Sequence, residues 1–299
     1  MQYILDGRYI QDHFPGIGRY VYNLACAMPR LAPSDRFRIL VNPRLANSRY
    51  DLRTLLQNPN VDLVEVGAGT ASAQEQLLAR ARNVVSGAAL WHSAYYIMPY
   101  FLPVPAVVTL EDLTPLVLPE EMPNPGKRLL YRMLNLLAAR RASHIITISE
   151  AAARDLVRVL GVARNKLSVI PLAAGPQFRP AEPAAVSEVR ERLGLPSRYA
   201  LYVGSNKPHK NLPRLVQAWA RVDSSVLFVI AGHWDSRYPL GAAAERLTTE
   251  GRLRLIPSIA AGDLPALMTG AAFFVFPSLH EGFGLPPLEA MACGTTVAC

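Results

Sequence analysis

Two glutamates near the end of the chain frame a glycine-rich turn, in the segment 280–291 that reads HEGFGLPPLEAM. A strand is predicted over residues 273–276 and a helix directly after the turn. Gly282 and Gly284 let backbone amides approach a ligand closely, and amides at a helix N-terminus bind phosphate or sugar oxygens. Glu289, one turn into that helix, is placed to accept hydrogen bonds from two ribose hydroxyls. The alternative is a helix-capping glutamate beside tight-turn glycines.

A second loop of unusual composition begins at Gly204, after a strand predicted at residues 200–203. It is the first strand-to-helix turn in the second half of the chain, where Rossmann-like folds place phosphates. Lys210, just before a helix that starts near Asn211, could lay its ammonium group against a diphosphate. Solvated lysines in a surface turn are the alternative.

A third loop, residues 14–20, carries Gly16 and Gly18 between the first strand and a helix predicted from Arg19. A lone G-x-G is weak evidence, because such a pair is often only a tight turn.

Short apolar runs alternate with helical patterns along the chain, which indicates parallel sheets covered on both faces. Ligands bind at the carboxyl ends of the strands in such sheets, where all three loops lie. The predicted helices include 19–28, 127–141, 150–160, 186–193 and 212–220. The predicted strands are 3–5, 37–41, 89–92, 106–110, 145–148, 169–172, 200–203, 227–231, 253–256, 273–276 and 295–298.

The run FPSLHEGFGLPPLEAMACG, residues 276–294, resembles the signature of family-4 retaining glycosyltransferases of the GT-B fold. The resemblance implies an α/β fold with two Rossmann-like domains whose parallel sheets face each other across a cleft. The expected division is an acceptor domain at 1–175, a linker with the first helix of the second domain at 176–198, and a donor domain at 199–299. Since family members continue further, the second domain is expected to be truncated, with low stability and activity.

The resemblance also implies the roles of the loop residues. Glu281 contacts the donor sugar and Lys210 the diphosphate, and these two are the expected catalytic residues. His209 stands where the family usually has arginine. Some members carry a basic residue at the position of Ser205, which is neutral. Lys207 could supply the missing positive charge. The full expected donor-binding set is Gly16, Gly18, Gly204, Ser205, Lys207, Lys210, Glu281, Gly282, Phe283, Gly284, Leu285 and Glu289.

Three residues are candidates for the acceptor side. His92 ends a predicted strand, where a histidine is more often merely hydrogen-bonded. Glu111 stands where the family usually shows histidine, with Asp112 following. Glutamate there would change substrate preference, form a negative wall near a developing cation, or have no effect.

The function predicted is transfer of a hexose, of mannose or glucose type, from a nucleoside diphosphate sugar to a glycan or lipid-linked acceptor. No D-x-D sequence is present, so neither a metal nor a cofactor is expected. One alternative is a non-catalytic nucleotide-sugar-binding fragment. The other is a glycoside hydrolase that uses Glu281 and Glu289 as its paired carboxylates.

Composition and charge restrict the class of protein and its partners. With 51% hydrophobic and 18% charged residues, the 299-residue chain has a globular composition. Its net charge of +8 comes without a nucleic-acid motif, so nucleic acid is not expected as a partner. Three scattered cysteines, and no apolar start like that of a signal peptide, predict a cytoplasmic protein.

The helix predicted at 127–141 carries a basic face and an apolar stripe. A core-facing helix with a solvated basic face is the first interpretation. A patch for anionic lipid, with peripheral contact at the inner membrane face, is the alternative. The basic residues are Lys127, Arg128, Arg132, Arg140 and Arg141, and the stripe is Leu130, Met133, Leu134 and Leu137.

Overall fold

A computed structural model of the chain describes residues 1–70, 72–222 and 225–299. The chain divides into two compact units. The N-terminal unit comprises Met1–Val117 and Asn124–Ile170, and the C-terminal unit comprises Leu118–Pro123 and Pro171–Cys299. The short segment Leu118–Pro123 therefore belongs to the C-terminal unit although it lies in the first half of the sequence.

The N-terminal unit is built on a parallel sheet with the strand order β3-β2-β1-β4-β5-β6-β7. Because every pairing is parallel, all carboxyl ends lie at one edge of this sheet. The strands are β1 Gln2–Asp6, β2 Arg36–Val41, β3 Val61–Glu65, β4 Leu90–Ser93, β5 Ala106–Thr109, β6 His144–Thr147 and β7 Leu167–Val169.

Helices of this unit follow the strands and cover the sheet. Helix α5, Glu150–Leu160, shows how the sequence sets the ends of such a helix, because the Ser149 side chain caps its first turn and Gly161 ends it with a left-handed φ of 68°. The helices are α1 Pro15–Leu31, α2 Arg82–Val85, α3 Thr114–Val117, α4 Pro125–Arg141 and α5 Glu150–Leu160.

The C-terminal unit has a parallel sheet with the order β10-β9-β8-β11-β12. All five residues of its strand β9, Leu227–Ala231, are buried, as expected for a strand covered on both faces. The strands are β8 Tyr199–Val203, β9 Leu227–Ala231, β10 Leu253–Ile256, β11 Phe273–Val275 and β12 Val297–Ala298. The helices are α6 Pro183–Leu193, α7 Leu212–Trp219, α8 Ala242–Thr249, α9 Leu264–Thr269 and α10 Leu285–Ala292.

The predicted alternation of strand and helix is confirmed, with differences at particular elements. Strand β3 was not predicted, because Val61–Glu65 carries two acidic residues and forms an incompletely buried edge strand rather than a continuous apolar run. Strand β7 covers Leu167–Val169 and overlaps the predicted strand 169–172 only at its end.

The predicted glycine loop before the first helix is wrong. Helix α1 begins at Pro15, so Gly16 and Gly18 lie in its first turn, and the Gly18 amide donates to the Phe14 carbonyl at 2.7 Å. The physical reason is that proline is favoured in the first helical turn, where its missing N–H costs nothing. A Cβ on Gly18 would lie 3.0 Å from the Tyr9 carbonyl oxygen, so this glycine serves close packing of the helix.

The predicted core-facing stripe of α4 is wrong at two of its four positions, because Leu134 and Leu137 are half-buried whereas Leu130 and Met133 are not. Leu130 and Met133 are 58% and 56% exposed. The helix instead buries Asn135, Ala138 and Ala139, because small side chains let it lie close to the rest of the unit. No helix in the described part of the chain combines the length and apolarity that crossing a membrane requires.

Candidate functional site

The C-terminal sheet brings two of the predicted loops to one place. Strands β8 and β11 are parallel neighbours, with Ala200 opposite Phe273 and Leu201 opposite Phe274. The chain runs from β8 outward to β9 and β10 on one side, and returns to β11 on the other. The loops after β8 and β11 therefore flank the topological switch point, where open parallel sheets bind ligands.

The loop after β8 is held by its own side chains. Buried Asn206 donates from its amide nitrogen to the Asp235 and Tyr238 carbonyls, both at 2.7 Å, and its oxygen accepts from the Asp235 amide. The Tyr202 hydroxyl donates to the Ser205 carbonyl at 2.8 Å. These bonds hold the backbone that leads to Lys210, so the position of the Lys210 main chain is well defined.

Lys210 and Glu281 are in direct contact. The ammonium Nζ lies 2.5 Å from the Glu281 Oε1, and the two side chains are 15% and 23% exposed. Nζ also lies 5.4 Å from the centre of the Phe276 ring. Because an ammonium group has three N–H donors, the contact with Glu281 leaves Lys210 able to bind a second anion.

Asn211 connects the two loops through the backbone. It adopts a left-handed φ of 57°, a region that asparagine tolerates better than most residues. Its amide nitrogen donates to the Pro277 carbonyl at 3.2 Å, and the Leu279 amide donates to the His209 carbonyl at 2.8 Å. The residues on either side of Lys210 are thereby joined to the segment that leads to Glu281.

The glycine turn leads into α10 at Leu285, one residue before the predicted start. Gly284 precedes the helix with a left-handed φ of 93°, which glycine adopts without strain. Glu289 lies in α10 and is 6% exposed. Burial of the Cys293 thiol, and after it the charge of Glu289, raise the pKa of that thiol. That Glu289 binds ribose, and that the amides from Gly282 to Leu285 bind sugar and phosphate oxygens, stay predictions.

A carboxylate that the sequence analysis missed holds the same loop. Glu121 accepts from the His209 amide at 2.9 Å, and its Oε1 lies 2.6 Å from the imidazole Nδ1. Although burial acts in the opposite direction, the hydrogen bonds and charge of His209 and the charge of exposed Lys207 lower the pKa of Glu121. No motif surrounds Glu121, so only the packing of Leu118–Pro123 against the loop reveals it.

His92 lies at the carboxyl end of β4 in the N-terminal unit. Its Nε2 is 2.9 Å from the Thr109 hydroxyl, which is also 3.1 Å from the Tyr20 hydroxyl. Burial lowers the pKa of His92 to about 4, so the imidazole is neutral at neutral pH. His92 is thus hydrogen-bonded within its own unit, and its acceptor role stays a prediction.

Glu111 and Asp112 follow β5 in the same unit. Burial, and then the charge of Asp112, raise the pKa of Glu111 to about 7. The Asp112 Oδ1 accepts from the Thr114 amide at 2.8 Å, at the start of α3. The structure therefore gives Asp112 a local structural contact and leaves Glu111 as a carboxyl group that titrates near neutral pH.

Two family models match the chain. Residues 15–178 match Glycosyltransferase Family 4, and residues 187–299 match Glycosyl transferases group 1. The chain belongs to Glycosyltransferase Family 4.

Among the residues that the structure describes, no three His, Cys, Asp or Glu side chains lie close enough together to hold a metal ion.

Curated relatives of this family-4 chain include mannosyltransferases of Escherichia coli. O-antigen chain mannosyltransferase B is 31% identical over 217 residues, which is 70% of this chain and 56% of the relative. The serotype-specific mannosyltransferase WbdA is 27% identical in an alignment that covers 97% of this chain and 39% of the relative. The chain thus spans about half the length of these relatives or less.

Solved structures show the fold of the family-4 chain. Anabaena Alr3699/HepE, in complex with UDP and glucose, has a TM-score of 0.71 at 22% identity, over 99% of this chain and 79% of that one. WaaG, a glycosyltransferase involved in lipopolysaccharide biosynthesis, has a TM-score of 0.66 at 16% identity, over 99% of this chain and 80% of WaaG. The predicted α/β fold of the GT-B type, with two parallel sheets, is confirmed.

Proposed function

We propose that this chain transfers a hexose, of mannose or glucose type, from a nucleoside diphosphate sugar to a hydroxyl of a glycan or lipid-linked acceptor. The observation that carries the proposal is the contact of Lys210 with Glu281 at the switch point of the C-terminal sheet. The names of the relatives support the sugar class, since they include O-antigen chain mannosyltransferases and a 2-deoxystreptamine glucosyltransferase of Streptomyces kanamyceticus.

In the proposed donor complex, the ammonium group of Lys210 binds the diphosphate with the N–H groups that Glu281 does not use. The Glu281 carboxylate faces the donor sugar, and Glu289 accepts hydrogen bonds from the ribose hydroxyls. Backbone amides from Gly282 to Leu285 bind the remaining sugar and phosphate oxygens. Gly204, Ser205 and Lys207 line the diphosphate from the other loop.

The proposed reaction proceeds with retained configuration. The bond from the anomeric carbon to the diphosphate oxygen breaks, and the acceptor oxygen bonds to that carbon on the same face. The acceptor proton passes to the departing diphosphate. Lys210 and the α10 N-terminus stabilise the negative charge that develops on the leaving group, so the proposal needs neither metal nor cofactor.

The acceptor is proposed to bind the N-terminal unit at the carboxyl ends of β4 and β5. His92 is neutral there and can both donate and accept hydrogen bonds. Glu111, with its pKa raised to about 7, can donate a hydrogen bond to a sugar hydroxyl when it is protonated. Asp112 lies next to it and completes the proposed acceptor side.

The test is acceptor-dependent release of nucleoside diphosphate. The chain is incubated with GDP-mannose, UDP-glucose or ADP-glucose, with and without an octyl α-mannoside acceptor, and the product anomer is assigned by NMR. We expect release that requires the acceptor, with retained configuration, and loss of at least about 100-fold in Lys210→Met, since one oxyanion-stabilising donor contributes this much. The matched control is Arg214→Met, an exposed cation on α7.

Other outcomes separate the alternatives. Sugar release from a simple glycoside, with no need for a nucleotide, would identify a hydrolase. Binding of the donor without any turnover would identify a nucleotide-sugar-binding protein. Inversion at the anomeric carbon would contradict the retaining mechanism.

A further inference from the structure

Helix α4 presents a row of large apolar side chains to solvent. Leu129, Leu130 and Met133 are 59%, 58% and 56% exposed. Leu129 and Met133 are one helical turn apart, and Leu130 is three residues from Met133, so the three lie on one side of the helix. Since the opposite side of the helix is buried through Asn135, Ala138 and Ala139, this row faces away from the unit.

Basic side chains lie on both sides of the apolar row. At 100° per residue, Lys127 and Arg141 fall on one side of the row and Arg132 on the other. All three are exposed, and α4 contains no acidic residue over Pro125–Arg141. Across residues 1–70, 72–222 and 225–299, no carboxylate forms an ion pair with Lys127, Arg132 or Arg141.

An exposed aromatic ring extends this surface. Phe101 is 65% exposed, and the Arg141 guanidinium lies 4.6 Å from the centre of its ring. The pair places an apolar ring and a cation side by side at the C-terminal end of α4. We call Phe101, Leu129, Leu130 and Met133, with Lys127, Arg132, Arg140 and Arg141, the α4 surface.

We propose that the α4 surface docks on an anionic phospholipid bilayer. An amphipathic helix that lies in a bilayer interface needs large apolar side chains on one face and long basic side chains on its flanks. The apolar row would enter the headgroup boundary, while the flexible stems of Lys127 and Arg132 let their charges reach lipid phosphates. Charge complementarity favours an anionic bilayer as the partner, since the α4 surface holds four basic residues and no acidic one.

This docking does not depend on donor binding, so it is tested without any nucleotide sugar. The 299-residue chain is sedimented with vesicles of phosphatidylcholine alone, or with 30% phosphatidylglycerol. We expect binding only to the anionic vesicles. Each basic residue contributes about fivefold to such binding, so Lys127→Gln with Arg132→Gln should lower the partition coefficient about 25-fold.

Matched variants distinguish this surface from net charge. Arg214→Gln with Arg221→Gln removes two exposed charges from the C-terminal unit and should leave vesicle binding unchanged. Leu129→Ser with Met133→Ser should weaken binding, while Leu77→Ser, at another exposed leucine, should not. Because all these side chains are exposed, equal melting temperatures and circular dichroism spectra serve as the folding control.

Three results would overturn the proposal. The first is equal binding to neutral and anionic vesicles, or binding to neither. The second is an equal loss in the Arg214 and Arg221 control. The third is self-association of the chain without vesicles that the Leu129 and Met133 changes abolish, because the row would then be an interface between copies.

Discussion

At the scale of single residues, Lys210 and Glu281 matter most, because they are 71 positions apart in sequence and yet in contact. Each can be predicted from its own loop, through a lysine before a helix and a glutamate before a glycine turn. Their contact cannot, because it depends on β8 and β11 being neighbours in the sheet. The contact also means that the charge of Lys210 is compensated before any ligand binds.

Glu121 should act as a positioning residue for this loop. Glu121→Gln keeps the shape of the side chain but removes the charge that holds His209. A hydrogen bond to a charged group contributes about 1.5 kcal/mol or more, so we expect nucleoside diphosphate binding to weaken about tenfold. Glu120→Gln, at the exposed neighbouring glutamate, is the control. Equal dissociation constants for both variants, measured by calorimetry, would show that the Glu121 contact has no role in binding.

His92 should make stability depend on pH. Burial lowers its folded pKa from 6.5 to about 4, so the unfolded chain binds this proton first as the pH falls. The contribution of His92 to the free energy of unfolding is therefore fully present above pH 6.5. It is lost progressively as the pH falls to 4, by up to about 3 kcal/mol.

Urea unfolding of wild type and His92→Gln between pH 7 and 4 measures this contribution. The variant should lose less stability than the wild type over this range. His13→Gln, at an exposed histidine of the same unit, should follow the wild type. Parallel curves for all three proteins would contradict a buried neutral imidazole at position 92.

At the scale of elements, apolar runs bounded by turns were enough to predict most strands. Strand β3 was missed because acidic residues interrupt the apolar run of Val61–Glu65, which lies at a sheet edge where burial is incomplete. Helix α4 shows a different limit. Its pattern predicts an amphipathic helix, but both a leucine face and an alanine face are available, and packing in the folded unit decides between them.

The start of α1 can be tested with its glycines. Gly16→Ala places a Cβ in open space inside a helix, so we expect stabilisation of about 0.5 kcal/mol. Gly18→Ala places a Cβ 3.0 Å from the Tyr9 carbonyl oxygen, so we expect destabilisation. Thermal melting of the two variants measures both effects. Destabilisation by Gly16→Ala as large as that by Gly18→Ala would contradict a helix beginning at Pro15.

At the scale of the whole molecule, two units of the same α/β class occur in one chain, and each matches a glycosyltransferase model. The fold class was predictable because alternation and the run at residues 276–294 both favour it. The contact of Leu118–Pro123 with the loop at His209 was not predictable, since it joins segments 88 positions apart without a motif. The proposed donor site thus depends on a segment from the first half of the sequence.

Calorimetric titration of the chain with GDP, UDP and ADP, and with their hexose conjugates, tests the proposed donor site most directly. We expect at least one of these ligands to bind saturably, Lys210→Met and Glu289→Ala each to weaken its binding at least about tenfold, and Arg214→Met to bind like the wild type. Binding that is unchanged in Lys210→Met and Glu289→Ala, or no binding of any of these ligands, would contradict the donor site.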